Sequence, residues 1–165
     1  MTPQKPSLHN HCFRFESDFV SDLRCLPMAV RRKLDLAGVK LKLSHWHALE
    51  GQERALVLAW SDDPAAMAEL RGWLMEHTAS MPDGPAQPLE PAMATFWQQT
   101  AVVPEVLQLA CDQIENAITL RDWEALDELQ RFALVKLSHP GHEHRNLPRA
   151  LQEFGLIDPP CNGER

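Results

Sequence analysis

The histidines between residues 139 and 144 come nearest, by type and spacing, to a metal site. His139, His142 and His144 surround a Pro-Gly turn, and imidazole is a common ligand of zinc and other transition metals. A structural zinc site needs four ligands, and no pair of cysteines close in sequence is present to complete one. We therefore expect no metal and no cofactor. The alternative is a metal- or cofactor-carrying protein that uses this loop.

Cys25 is the side chain whose surroundings favour a nucleophile. It follows Arg24 and precedes Leu26-Pro27, and a neighbouring cation favours the reactive thiolate. Free cysteines are nevertheless usually buried and inert. Nucleophilic catalysis also needs a base with an orienting partner, and no such set can be assembled from this sequence. We expect that the protein is not an enzyme, and an enzyme built around Cys25 is the less favoured alternative.

One stretch of the chain concentrates basic side chains. This basic run comprises Arg31, Arg32, Lys33, Lys40 and Lys42. It could dock an acidic partner surface or the phosphate of a cofactor, and the simpler interpretation is a solvated helix face. Residues 27–50 also resemble a helix-turn-helix regulator. A similar stretch later in the chain carries acidic residues at the positions that match this helix, and those acidic residues would repel DNA.

Composition and charge exclude several classes of protein. The 165 residues are 44% hydrophobic and carry a net charge of −7, with an isoelectric point near 5.6. This composition predicts a folded chain, and its acidity disfavours nucleic acid as a partner. From this sequence we expect no secretory signal and no membrane span, and the four scattered cysteines are typical of reduced thiols. We expect a cytoplasmic protein with no membrane partner.

The chain resembles itself at an offset of 77 residues, without a gap. The core of the match aligns LSHWHALEGQER with LRDWEALDELQR. Identical pairs at this offset include Pro27/Pro104, Asp35/Asp112, Leu43/Leu120, Trp46/Trp123, Ala48/Ala125, Leu49/Leu126 and Arg54/Arg131. A single offset and paired tryptophans favour an internal duplication over a chance match of helical periods.

Each copy predicts helices joined by short turns. In the first copy, Pro27 suits a helix start, Gly38 a helix end, and Asp63-Pro64 another start. In the second, Thr119 and Asp122 are spaced as a capping box. Strand signals are confined to residues 13–15, which are too few for a sheet, so the predicted fold is all-α.

Prolines separate the two copies. Pro82, Pro85, Pro88 and Pro91 recur every third residue, which prevents a helix. We predict a single helical domain over 13–157 made of two pseudo-repeated halves, 13–77 and 93–157, joined by a Pro-rich linker at 78–92, with Phe96 and Trp97 docking onto the core. Residues 1–12 and 158–165 are predicted to be flexible tails.

Two long segments carry a resemblance to a known family. Residues 13–41, FRFESDFVSDLRCLPMAVRRKLDLAGVKL, and residues 129–156, LQRFALVKLSHPGHEHRNLPRALQEFGL, are similar to the conserved nitrate reductase-associated proteins of bacteria. The resemblance implies a cytoplasmic, non-enzymatic accessory or maturation factor. Its partner would be a molybdenum-containing nitrate reductase or the machinery that inserts the molybdenum cofactor. The family offers no catalytic residues to carry over.

The signature residues of these two segments are the candidates for partner contact. They are Arg24, Cys25, Met28, Arg31, Arg32, Lys33, Asp35, His142, Glu143 and Asn146. Several of their neighbours have structural explanations, such as Gly141 in a turn, and Asn146 itself could cap the last helix. The sequence predicts no oligomeric state.

Overall fold

The computed structural model describes residues 9–17, 23, 25–139 and 146–158. The chain forms two compact units, Met1–Ala94 and Thr95–Arg165. The first unit contains the helices α1 Met28–Ala37, α2 Leu43–Ala48, α3 Gly51–Ala59 and α4 Pro64–Thr78. The second contains α5 Glu105–Gln113, α6 Leu120–Ala125, α7 Glu128–Ser138 and α8 Asn146–Glu153. The structure is mostly helical, as predicted.

A small sheet departs from the predicted all-α fold. Strand β1, Val39–Lys40, pairs antiparallel with β2, Gln87–Pro88. Residues 13–15, whose strand signal was too short to predict a sheet, lie in no strand, and Arg14–Glu16 forms a 3-10 turn. Strands of two residues carry no periodic pattern that a sequence could reveal. Within the described residues, no helix is long and apolar enough to cross a bilayer.

Helix α1 begins and ends where the sequence predicted. Pro27 precedes its first residue, and Gly38 stops it with a left-handed backbone, φ 76°. Its apolar side chains at Val30, Leu34 and Ala37 belong to the buried core of the first unit. The long helix α4 supplies the opposing core residues Met67, Leu70 and Leu74. Helix α1 is thus packed against α4 and also against α3.

The other helix starts in this unit follow local rules too. The Asp63 carboxylate accepts a hydrogen bond from the Ala66 backbone N–H at 2.9 Å, and Pro64 follows at the first helical position. This bond lowers the pKa of Asp63. At α2, the His45 ring takes the capping role, because its Nδ1 accepts from the Lys42 N–H at 3.1 Å.

The proline-rich segment is attached to the first unit. We call residues 85–92 the strap. The Ala86 N–H donates to the Thr78 hydroxyl at 2.8 Å, and the Leu89 N–H donates to the Gly38 carbonyl at 2.8 Å. The Ala92 N–H donates to the Asp35 carbonyl at 2.9 Å. The strap therefore runs along the first unit in a fixed register, and its role as a linker between two halves stays a prediction.

The second unit is built around two aromatic rings. Trp97 meets Phe132 of α7 edge-on, with ring centroids 5.1 Å apart, and both are buried. The predicted capping box at the start of α6 is confirmed, since Thr119 Oγ1 accepts from the Asp122 N–H at 3.1 Å. The docking of Phe96 was predicted wrongly. Its side chain is 67% exposed, whereas that of Trp97 is 4% exposed.

Helix positions in the two units follow the 77-residue offset. Helices α5, α6 and α7 begin 77 residues after α1, α2 and α3, respectively. Trp46 and Trp123 are both fully buried, as predicted. Helices α4 and α8 do not follow the offset, and α8 is the shorter of the two. The duplication itself, and the superposition of the two units, stay predictions.

Candidate partner-contact site

Most of the candidate contact residues lie on or next to α1. Met28, Arg32 and Lys33 are buried there, and Arg31 and Asp35 are half-buried. Cys25 is a half-buried free cysteine just before the helix. Asn146 is the first residue of α8 in the second unit. The remaining candidates, Arg24, His142 and Glu143, lie outside the described residues.

Arg32 is held by an ion pair inside the first unit. Its Nη1 lies 3.0 Å from the Asp62 carboxylate, and only 4% of its side chain is exposed. Asp62 lies in the turn between α3 and α4. A buried guanidinium is tolerated because a carboxylate compensates its charge. This arginine therefore joins α1 to the α3–α4 turn.

Lys33 is fully buried beside this pair. Its Nζ donates to the Leu58 carbonyl oxygen of α3. Burial lowers the pKa of Lys33 to about 8, although the Asp62 carboxylate acts in the opposite direction. The interpretation of the basic run as a solvated helix face is wrong for Arg32 and Lys33, because α3 and α4 cover that side of α1. Lys40 and Lys42 are exposed.

Arg31 and Asp35 keep part of their surface open. The Arg31 Nε donates to the Leu26 carbonyl at 3.1 Å, which fixes the side chain against the turn that precedes α1. The Asp35 backbone carbonyl receives the strap through Ala92. Both residues remain half-exposed, so they are the charged candidates on α1 that a partner can reach.

Glu16 is a structural residue that the sequence analysis did not single out. Its buried carboxylate accepts from the Met28 N–H at 2.7 Å and from the Phe13 N–H at 3.0 Å. A carboxylate at a helix N-terminus also interacts favourably with the helix dipole. Pro27 precedes α1 and makes no side-chain capping hydrogen bond. A proline at this position indicates that another residue must supply the cap. Together with burial, Glu16 also raises the pKa of Cys12.

Trp46 and Arg54 form a clasp in the first unit. The Trp46 indole N–H donates to the Leu23 carbonyl at 2.6 Å, and Arg54 Nη1 donates to the same oxygen at 3.2 Å. Arg54 Nε also donates to the Leu49 carbonyl at 3.1 Å. Leu23 has a positive φ of 54°, which strains a residue with a side chain. The two hydrogen bonds help to hold that conformation.

Trp123 and Arg131 form the corresponding clasp in the second unit. The Trp123 indole N–H donates to the Gln99 carbonyl at 2.9 Å. Arg131 Nε donates to the Trp97 carbonyl at 3.1 Å, and its Nη1 donates to the Leu126 carbonyl at 2.5 Å. Both clasps share the spacing W-x-x-L-x4-R. The tryptophans were predicted as core anchors, whereas the role of the arginines was missed.

The histidine loop stays untested as a metal site. His139 is exposed at the end of α7, and His142 and His144 lie outside the described residues. In the part of the chain that the structure describes, no three histidine, cysteine, aspartate or glutamate side chains are grouped to hold a metal ion. The metal-carrier alternative, and likewise the helix-turn-helix one, remains a prediction.

Comparison with known proteins places the chain in a family. No curated protein and no solved structure matches it. The family model described as conserved nitrate reductase-associated protein matches residues 12–154. The match extends from the segment before Glu16 to the end of α8, so it includes both clasps and the buried charges of α1. The chain belongs to the conserved nitrate reductase-associated protein family.

Proposed function

We propose that this protein is a non-enzymatic accessory or maturation factor that binds a molybdenum-containing nitrate reductase, or the machinery that inserts its cofactor, in the cytoplasm. The observation that carries the proposal is the family match over residues 12–154. Its description names an association with nitrate reductase. An associated protein must offer that enzyme, or a protein acting on it, a surface to bind.

Exposed apolar side chains in the second unit support such a surface. Phe96 is 67% exposed and Val102 is 64% exposed. Aromatic residues are enriched in protein–protein contact sites. The second clasp fixes the backbone between them, because Trp123 and Arg131 bind the carbonyls of Gln99 and Trp97. A fixed backbone lowers the entropic cost of binding.

The signature residues of α1 have a different role in this proposal. Arg32 and Lys33 bind Asp62 and the Leu58 carbonyl inside the first unit, so they brace the helix rather than contact the partner. Arg31 and Asp35 are the charged candidate residues of α1 that remain partly exposed. The two clasps, 77 residues apart, support the duplication that we infer for the two halves.

A deletion experiment tests the accessory role. Cells lacking this protein should lose nitrate reductase activity while the reductase transcript stays at its normal level, because the defect lies in the enzyme and not in gene expression. A fall of the transcript in parallel with the activity would instead support a regulator and contradict the proposal. Unchanged reductase activity in nitrate-grown cells would contradict it as well.

A binding experiment tests the surface. Purified reductase is titrated onto the immobilised wild-type chain, the Phe96→Ser variant and the control variant Leu56→Ser, whose residue is 48% exposed on α3. We expect Phe96→Ser to bind about tenfold or more weakly, as is common for an aromatic contact at the centre of an interface. Leu56→Ser should bind like the wild type. Equal binding of all three variants would exclude Phe96 from the contact.

A further inference from the structure

Aromatic side chains connect α3 with α4 on the surface of the first unit. The rings of Trp60 and Trp73 have their centroids 5.8 Å apart, and the His77 ring stacks on Trp73 at 3.9 Å. The Trp60 indole N–H donates to the Ala66 carbonyl of α4 at 2.8 Å, and His77 Nε2 lies 3.6 Å from the Glu53 carboxylate of α3. We call Trp60, Trp73 and His77 the aromatic strip.

The aromatic strip is only half-buried. Trp60 and Trp73 pack against the core of the first unit with part of their surface, and the rest stays open. Leu56 lies one helical turn before Trp60, on the same side of α3, and is 48% exposed. Tryptophan is among the residues that contribute most to protein–protein binding when a partner covers it. The strip and Leu56 thus form an apolar surface that the unit itself covers only in part.

Hydrogen bonds fix the rings of the aromatic strip. Besides the bond from Trp60 to Ala66, the His77 Nδ1–H donates to the Trp73 carbonyl at 2.9 Å. His77 is therefore held at both ring nitrogens, because its Nε2 faces Glu53. Binding to side chains that are already ordered costs less conformational entropy.

Two carboxylates flank the aromatic strip. Glu69 and Glu76 lie four residues before and three residues after Trp73, which places them beside it on the surface of α4. Both are exposed, and neither takes part in an ion pair among the residues that the structure describes. Glu53 faces His77 and compensates the charge of that ring when it is protonated. The charges beside the strip that stay available to a partner are therefore negative.

The positive side chains of these two helices bind elsewhere. Helices α3 and α4 contain no lysine, and their arginines are Arg54 and Arg71. Arg54 belongs to the clasp, where it binds the Leu23 and Leu49 carbonyls. Arg71 donates to the Leu89 carbonyl of the strap at 3.2 Å. Neither arginine therefore compensates the two glutamates beside the strip.

We propose that the aromatic strip and Leu56 form a docking surface for a basic amphipathic helix of a partner protein. The apolar side of that helix covers Leu56 and the two tryptophans, and its lysine or arginine side chains pair with Glu69 and Glu76. These glutamates are seven residues apart on α4, which corresponds to about 10.5 Å along the helix axis. Basic residues at i and i+7 of a partner helix have the same separation and share one side of it. The proposal goes beyond the binding of nitrate reductase and does not involve Phe96.

Binding of a defined peptide tests this surface. The probe is a synthetic helix-forming peptide of about 18 residues, with leucines on one side and arginines beside them at i and i+7. The peptide is labelled with fluorescein and titrated with the full-length chain at low salt, and binding is followed by fluorescence anisotropy. We expect one bound peptide per wild-type chain. A second peptide, in which glutamate replaces each arginine, should not bind.

A pair of charge reversals locates the contact. The double variant Glu69→Lys, Glu76→Lys should bind the arginine peptide about tenfold or more weakly at low salt. This difference should shrink toward 1 M salt, where the Debye length is about 3 Å. The control double variant Asp112→Lys, Glu124→Lys makes the same change in net charge at exposed positions of the second unit, and it should bind like the wild type.

Leu56→Ser tests the apolar part of the surface. It should weaken binding about fivefold or more at every salt concentration, because the lost contact is hydrophobic rather than electrostatic. Phe96→Ser serves as its control, since it removes an exposed apolar side chain from the second unit, and it should bind like the wild type. All these side chains are exposed, so we expect each variant to fold, and thermal unfolding of each variant checks this.

Three results would overturn the proposal. The first is a wild-type chain that does not bind the arginine peptide. The second is wild-type binding by either folded variant of the surface, or equally weak binding by the control double variant, which would show a general attraction to an acidic chain. The third is self-association of the wild type that Leu56→Ser abolishes, because a second copy would then occupy the strip. The binding of nitrate reductase is measured separately with Phe96→Ser, so each of these results leaves the accessory role standing.

Discussion

The buried Lys33 ammonium makes the stability of the first unit depend on pH in the alkaline range. Burial lowers its pKa from 10.5 to about 8. Between these values the folded chain binds fewer protons than the unfolded chain, so the free energy of unfolding rises with pH across this window. Below about pH 8 the buried Lys33 side chain is charged and lowers the free energy of unfolding by the full amount. Above pH 10.5 it is neutral in both the folded and the unfolded chain, and this loss of stability disappears.

The size of this effect follows from the two pKa values. One pKa unit corresponds to about 1.4 kcal/mol, so the difference between 10.5 and about 8 corresponds to about 3 kcal/mol. Lys33→Met keeps the apolar stem and removes the titrating group. It also leaves the Leu58 carbonyl without this donor, which costs about 1 kcal/mol at every pH. The pH-dependent contribution of Lys33 to the free energy of unfolding can therefore be separated from the constant contribution of this hydrogen bond.

Urea unfolding at a series of pH values measures this dependence. The free energy of unfolding of the wild type, minus that of Lys33→Met, should rise by about 3 kcal/mol between about pH 7 and pH 10.5. Lys40→Met serves as the control, because Lys40 is exposed and its removal should leave the pH profile of the wild type unchanged. A flat difference for Lys33→Met, or an equal slope for the control, would refute the reasoning.

Three other substitutions test separate parts of the structure. Glu16→Gln should lower the free energy of unfolding by about 1.5–3 kcal/mol, because the neutral amide has one oxygen to accept from the two backbone N–H groups that Glu16 binds; the exposed control Glu124→Gln should change little, and equal effects would contradict the capping role. Trp46→Ala and Trp123→Ala should each cost about 3–5 kcal/mol in urea unfolding, and a cost below about 1 kcal/mol for either would exclude it as an anchor of its core. Arg31→Glu should weaken binding of nitrate reductase at low salt and less so at high salt, and a salt-independent loss would argue against a charged contact.

Local sequence rules predicted the helix ends well. Gly38, Asp63-Pro64 and the Thr119–Asp122 capping box act within one helical turn of their own positions, so the chain encodes them without reference to the rest of the molecule. The burial of both tryptophans also followed from periodicity. These features depend on few neighbours and are readable from one sequence.

The features that the sequence did not reveal depend on distant partners. Arg32 is buried because Asp62, 30 residues further along the chain, compensates it, and Glu16 caps a helix that begins 12 residues later. Phe96 and Trp97 are adjacent aromatic residues, and only the packing of Phe132 on one of them decides which is buried. No spacing rule connects such residues, so their burial and their partners could not be predicted from the sequence.

The two clasps have a consequence for synthesis on the ribosome. Each needs a tryptophan and an arginine that come later in the chain than the carbonyls they bind. Because the two sets are chemically alike, Trp123 and Arg131 could in principle capture the carbonyl of Leu23 in a nascent chain. Translation adds about 5–20 residues per second, so the 77 residues that separate the two sets take several seconds to add. For that interval the first set has no competitor in the nascent chain, so synthesis from the N-terminus favours the correct pairing of Trp46 and Arg54 with Leu23.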